Sequence, residues 1–230
     1  MSSPAATRRA LAALEASMTR CRACPRLVAW REEVAVHKRA AFANDTYWGR
    51  PVPGFGDPAA RLLLLGLAPA AHGGNRTGRV FTGDRSGDWL FGALHRAGYA
   101  NQPTSTSADD GLALTDAWVS AAVRCAPPGN KPTVEEFDRC EERWLRPEVA
   151  LLGNVTVVLA LGGLAWRVAW RVWGSGPRPT FGHGAVAELS PARPRWLVGS
   201  YHVSQQNTFT GKLTEPMLDA VLARCRQLSA

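Results

Sequence analysis

The chain has 230 residues, 46% hydrophobic and 20% charged, which is enough to bury one sizeable core and predicts a single domain over 1–230. Its net charge of +8 (27 Lys+Arg against 19 Asp+Glu) favours an anionic partner, nucleic acid being the commonest. The start, MSSPAATRRALAALEASMTR, has no uninterrupted apolar segment before Glu15, and no stretch reaches the ~18 apolar residues of a membrane span, so a soluble, cytoplasmic protein without membrane contact is expected.

In chain order, Cys21 and Cys24 form a C-x2-C pair followed by Pro25. Four short apolar runs come next: LLLLG (62–66), AWVSAAV (117–123), VTVVLALGG (155–163) and RWLVGSY (195–201). They do not alternate, so both faces are expected to be buried, as in a parallel sheet. Helical patterns lie between and after them. One starts near Ser86 and runs to about Ala97. A second opens with a capping box, Thr133 as N-cap and Glu136 three residues on. LAWRVAWRVW follows the third run. The last helix carries Met217, Leu218, Val221, Leu222, Cys225 and Leu228 on one stripe. Residues 99–115 and 174–194 read as surface loops, the second with a small hairpin. This alternation predicts a three-layer α/β/α sandwich around a central four-stranded parallel sheet.

In such sheets ligands sit beyond the carboxyl ends of the strands. Three runs are each followed by an unusual loop: the glycine-rich GLAPAAHGGNRTGRVFTGDRSGDW from Gly66, RCAPPGNKPT after 123, and HVSQQNTFTG after 201. The glycine-rich loop is neither a Walker A loop nor a G-x-G-x-x-G fingerprint. Its glycines let backbone approach a flat ligand closely, and Phe81 is placed to stack on one. Asp84 reads two ways, as a helix-start acid or as a catalytic carboxylate. His72 and Asn75 lie in the same loop as candidate pocket residues, and His202 closes an apolar strand at the proposed edge.

Five cysteines in a chain without a secretory signal argue for a metal or redox site rather than disulfides. Cys21, Cys24, Cys125 and Cys140 give one C-x2-C and one C-x14-C spacing, which suits a cubane cluster better than a zinc ribbon with two short knuckles. Cys225 falls on the apolar stripe and reads as core. On residues alone, a non-catalytic metal- or cluster-bearing nucleic-acid-binding protein and an iron–sulfur redox protein stay open.

These four motifs in this order, from about Cys21 to Leu222, resemble the iron–sulfur uracil-DNA glycosylases of family 5 (type b). The resemblance implies a [4Fe–4S] cluster on Cys21, Cys24, Cys125 and Cys140, clamping the N-terminal helix. It implies catalytic roles for Asp84, Asn130 and His202, and a base site at Gly66, Ala68 and Phe81, with His72 and Asn75 nearby. Ser204, Gln205, Gln206 and Asn207 would enter the minor groove as the wedge that fills the vacated stack. Related family 4 enzymes carry an acid where Leu67 stands and a base-reading Asn where Ala121 stands. Their loss implies a permissive enzyme acting on uracil, hydroxymethyluracil, hypoxanthine, xanthine and ethenocytosine in DNA, as a monofunctional glycosylase for which a monomer suffices.

Overall fold

A computed structural model describes residues 4–189, 191 and 194–230. Two helices, α1 (Pro4–Met18) and α2 (Pro25–Val36), precede the sheet. Then come β1 (Phe55–Gly56), β2 (Leu62–Gly66), α3 (Gly74–Thr77), α4 (Arg85–Arg96) and β3 (Ala117–Ala121). The chain continues through α5 (Val134–Cys140), a π-helical turn over Glu141–Leu145, α6 (Arg146–Leu151), β4 (Val157–Leu161) and α7 (Gly163–Trp173). β5 (Val186–Glu188), β6 (Trp196–Ser200), α8 (Gln205–Phe209) and α9 (Glu215–Leu228) complete it.

The sheet order is β1-β3-β2-β4-β6-β5. The four expected strands form its parallel centre, with Leu62 opposite Ala117 on one side and Val157 on the other. The sheet has six strands rather than four, because β1 and β5 add short antiparallel edges. Both edges were hard to read: β1 is two residues long, and the outer residues of β5 are exposed, so neither carries an apolar run. The expected hairpin is the β5–β6 pair. Residues 190, 192 and 193 of that loop lie outside the described residues.

Burial on both faces explains the unbroken apolar runs. Leu62, Leu64, Val157, Leu159 and Val198 pack under α4 and α9, through Leu90, Phe91, Leu94, Leu218, Val221 and Leu222. Leu63, Leu65, Val158, Ala160 and Leu197 pack on the other face, under Leu11, Val149, Ala165, Trp166 and Ala169. Each buried leucine removes apolar surface worth about 1.5–3 kcal/mol, so the central strands anchor everything attached to their ends. Cys225 is fully buried in the first of these cores, as its stripe predicts. No helix among the described residues is long and apolar enough to cross a membrane.

The capping box is present in full: Thr133 and Glu136 each bond the other's backbone N–H, at 3.3 and 2.8 Å. For α4 the cap is Asp84 rather than Ser86. Its carboxylate accepts from the Gly87 N–H at 3.0 Å, and the helix starts two residues earlier than a Ser86 cap would place it.

Candidate active site

The carboxyl ends of β2, β3, β4 and β6 face one cavity of about 400 Å³, the size of a small-molecule site. Ala68, Pro69, Ala70, Phe81 and Asp84 come from the glycine-rich loop, Asn130 from the loop after β3, and His202 and Ser204 from the loop after β6. The three loops therefore meet as their strand order requires. A fourth contribution, Gly162, Gly163 and Leu164 after β4, was not singled out in the sequence, although the GG closing an apolar run was its signal.

Missing side chains shape this cavity. A Cβ on Gly66 would stand 2.9–3.0 Å from the Phe81 ring, so only glycine lets the ring lie against the end of β2. Phe81 itself has φ +51, a backbone state that costs a non-glycine residue energy and persists where its surroundings enforce it. Gly87 supplies part of that enforcement, since a Cβ there would overlap the Phe81 carbonyl. A Cβ on Gly73 would overlap Oδ2 of Asp84. The Phe81 and His202 rings face each other across 6.1 Å between centroids, tilted by 40°.

Asp84 does two things with two oxygens. Oδ1 caps α4 through the Gly87 N–H, while Oδ2 lies over Gly73. Burial pushes its carboxyl above the usual carboxylate range, partly offset by the amides of Gly87 and Ser86. Both readings of this residue are thus served by one geometry: the cap fixes the rotamer, and the carboxylate borders the cavity.

Burial pushes the His202 imidazole down, which keeps it neutral at neutral pH. Its backbone is held by Asn207, whose Nδ2 donates to the His202 carbonyl at 2.8 Å. Asn130 is exposed at the rim with φ +56.

Outside the cavity runs a groove lined by Arg39, Arg76, Arg85, His72, Gln205 and Gln206, and sharing Asp84, Asn130 and Ser204 with it. Gln205 and Gln206 are exposed at the start of α8. Asn207 differs from the expected wedge: its side chain folds back to brace the His202 loop. Phe209, at the far end of α8, is 66% exposed with the Arg85 guanidinium 5.2 Å from its ring centre; no periodicity marked it.

Two other loop residues lie off the cavity. His72 borders the groove and pairs through Nδ1 with the Tyr47 hydroxyl at 3.0 Å. Asn75 is fully buried behind the loop, where its Nδ2 donates to the Arg31 carbonyl at 3.2 Å. Leu67 and Ala121 do line the cavity, so the two positions singled out for their lack of polarity face whatever binds there.

Cys21, Cys24, Cys125 and Cys140 are all free thiols and line a second, smaller cavity between α2, α5 and the stretch after β3. Burial pushes the Cys125 thiol to about 11 and the Cys140 thiol to about 12. Cationic groups surround them: Arg31 Nη1 donates to Cys125 Sγ at 2.9 Å, and Arg139 Nη1 reaches Cys24 Sγ at 3.6 Å. No three His, Cys, Asp or Glu side chains among the described residues are spaced to hold a single metal ion. Soft sulfur donors around a largely apolar space, with Arg31 at its wall, fit an anionic thiolate-held group.

A family profile described as the Uracil DNA glycosylase superfamily matches residues 53–226. The chain is 57% identical over 219 residues to the type-5 uracil-DNA glycosylase of Mycobacterium bovis, covering 94% of this chain and 81% of that one. It is 55% identical to the type-5 uracil-DNA glycosylase of Mycobacterium leprae, with 94% of both chains covered. To that of Thermus thermophilus it is 53% identical over 215 residues, covering 93% of this chain and 95% of the relative. With its parallel sheet, its four converging strand ends and these relatives, the chain belongs to the type-5 family of the uracil-DNA glycosylase superfamily.

Proposed function

We propose that the protein is a DNA glycosylase that extrudes uracil from DNA and hydrolyses its N-glycosidic bond, leaving an abasic site for base excision repair. The observation that carries this reading is the meeting of Phe81, Asp84, Asn130 and His202 on one cavity beyond the carboxyl ends of the sheet. A base inside a duplex is out of reach, so it must be flipped out, at a few kcal/mol of unstacking. Arg39 and Arg85 of the groove supply sequence-independent attraction to phosphates, whereas Arg76 is paired with Asp45. Gln205 and Gln206, exposed on the groove at the start of α8, would occupy the vacated stack.

Bond cleavage develops positive charge on the sugar and negative charge on the departing base. Asp84 complements the first and orients water, and Asn130 assists at the rim. The neutral His202 donates to the base carbonyl and stabilises the second. Phe81 stacks on the base. Among the described residues no lysine lines the cavity, which supports a hydrolytic enzyme that leaves the strand uncut. Leu67, Ala68 and Ala121 give the base edge few groups to satisfy, which favours a broad substrate range including hydroxymethyluracil and hypoxanthine.

The four cysteines would hold a [4Fe–4S] cluster, which when bound supplies cross-links between α2, α5 and the stretch after β3. Purified protein is expected to be brown, absorbing broadly near ~400 nm.

End-labelled duplexes carrying uracil, hydroxymethyluracil, hypoxanthine or xanthine, treated with protein and then alkali, test the reaction. Alkali-dependent cleavage at uracil is expected, with hydroxymethyluracil and hypoxanthine also cut. No cleavage on any duplex would remove the glycosylase reading. Gly73→Ala is expected to displace the Asp84 carboxylate and slow uracil excision by about 10²-fold, the usual cost of a misplacement near 1 Å. A wild-type single-turnover rate for that variant would contradict the placement.

A further inference from the structure

Arg31 is buried to 2% exposure, and among the described residues its ion-pair partner is the half-buried Glu32, 4.0 Å away and shared with Arg22. Its guanidinium instead grips the cysteine cavity at two points, donating from Nη1 to Cys125 Sγ at 2.9 Å and from Nη2 to the Cys21 carbonyl at 3.0 Å. Among the described residues its Nε is buried with no partner, as is the Nε of Arg124, which walls the same cavity although its other two nitrogens pair with Glu148. Two buried N–H groups left over beside four thiols mark a place for negative charge, because unpaired buried donors are costly.

The backbone of the same residue points elsewhere. The Arg31 carbonyl accepts from Asn75 Nδ2, and Asn75 sits in α3, the one helical turn inside the glycine-rich loop. α3 touches Asp84 from two sides. Its N-cap, Gly73, forms the floor beneath Oδ2, and Arg76 Nη2 donates to the carbonyl of Gly83, the residue before Asp84, at 2.7 Å. A continuous path of hydrogen bonds thus runs from a cysteine sulfur to the catalytic loop.

We propose that Arg31 and Asn75 form a strut: Arg31 clamps the anionic cysteine-held cluster, and Asn75 carries that anchorage to the loop that positions Asp84. The proposal rests on the cluster and glycosylase readings above. Both are positioning residues, since neither lines the base cavity.

The test compares purified wild type, Arg31→Met, Arg31→Lys and Asn75→Leu. Three quantities are read: lifetime of the ~400 nm absorbance in air with a chelator, hydrogen exchange of residues 73–84, and single-turnover uracil excision. Circular dichroism checks that each variant is folded. Arg31→Met is expected to lose the absorbance about tenfold faster and to exchange faster over 73–84. Arg31→Lys keeps the charge without the two-pronged grip and is expected to fall between. Asn75→Leu is expected to keep the wild-type absorbance lifetime, yet exchange faster over 73–84 and excise about tenfold more slowly at unchanged duplex affinity.

Wild-type lifetime and exchange in both Arg31 variants would overturn the clamp. Wild-type exchange in Asn75→Leu would overturn the strut. Wild-type protein that is colourless overturns the proposal together with the cluster reading. Coloured wild type that excises nothing overturns the glycosylase reading and leaves clamp and strut to be judged by lifetime and exchange.

Discussion

Asp84→Asn slows single-turnover uracil excision by about 10²–10³-fold, the usual cost of removing one preorganised electrostatic partner, and leaves duplex affinity nearly unchanged. The variant keeps the helix cap, because an Asn Oδ1 accepts from the Gly87 N–H as well as the carboxylate does. It also removes a buried charge. The Asp84 carboxyl is raised above its ordinary range by burial, so the unfolded chain ionises at lower pH than the folded one. The charge therefore costs stability as pH rises from the ordinary carboxylate range through the raised folded value, and the full cost is present above it. Thermal unfolding at pH 7 is expected to show the Asn variant at least as stable as wild type, with the difference vanishing toward low pH. Slow excision with the cap kept marks a functional carboxylate, whereas a purely structural cap, which Asn preserves, would leave the excision rate unchanged. The wild-type rate should also fall on the acid side as Asp84 takes up its proton, an arm the Asn variant lacks.

His202→Ala is expected to cost about 10²–10³-fold in the same assay, through loss of the donor to the base anion. Here the pH argument has the opposite sign. Burial lowers the folded imidazole, while the unfolded one protonates near its ordinary ~6.5. The unfolded state therefore binds more protons below that value, and wild type loses stability as pH falls from 7 toward 5. His202→Gln removes this loss and retains a donor, so it should lose less activity than the Ala variant while flattening the stability profile over that range. Equal rates for Ala and Gln would show that donation from this position contributes nothing to catalysis.

Much of this site was legible because the parallel strands are buried on both faces. LLLLG and its three counterparts announced the sheet centre, and the loops that follow them had to share an edge. The edge strands escaped because β1 and β5 bury too little to leave an apolar signature. Asp84 was ambiguous in sequence because a cap and a catalytic acid use the same residue type. The structure puts one oxygen on the cap and leaves the other over Gly73 at the cavity, so the cap does not exclude the second role.

Asn75 and Asn207 were misplaced for a shared reason. Both sit among residues that face the cavity or groove, yet both turn inward to bond a carbonyl, Asn75 to Arg31 and Asn207 to His202. Sequence proximity does not say which way an amide points. Arg31 was invisible because an arginine in a helix usually signals a solvated face, and only the fold brings it against Cys125.

The central claim is that a flipped base enters the cavity between Phe81 and His202. A crystal structure with a duplex carrying 2′-fluoroarabino-uridine, whose fluorine opposes the developing sugar cation and so preserves the glycosidic bond, tests it most directly. The base is expected outside the helix, stacked on Phe81, its carbonyl within hydrogen-bond reach of His202 and its sugar beside Asp84. A base still stacked in the duplex, or bound away from the carboxyl edge of the sheet, would contradict the account.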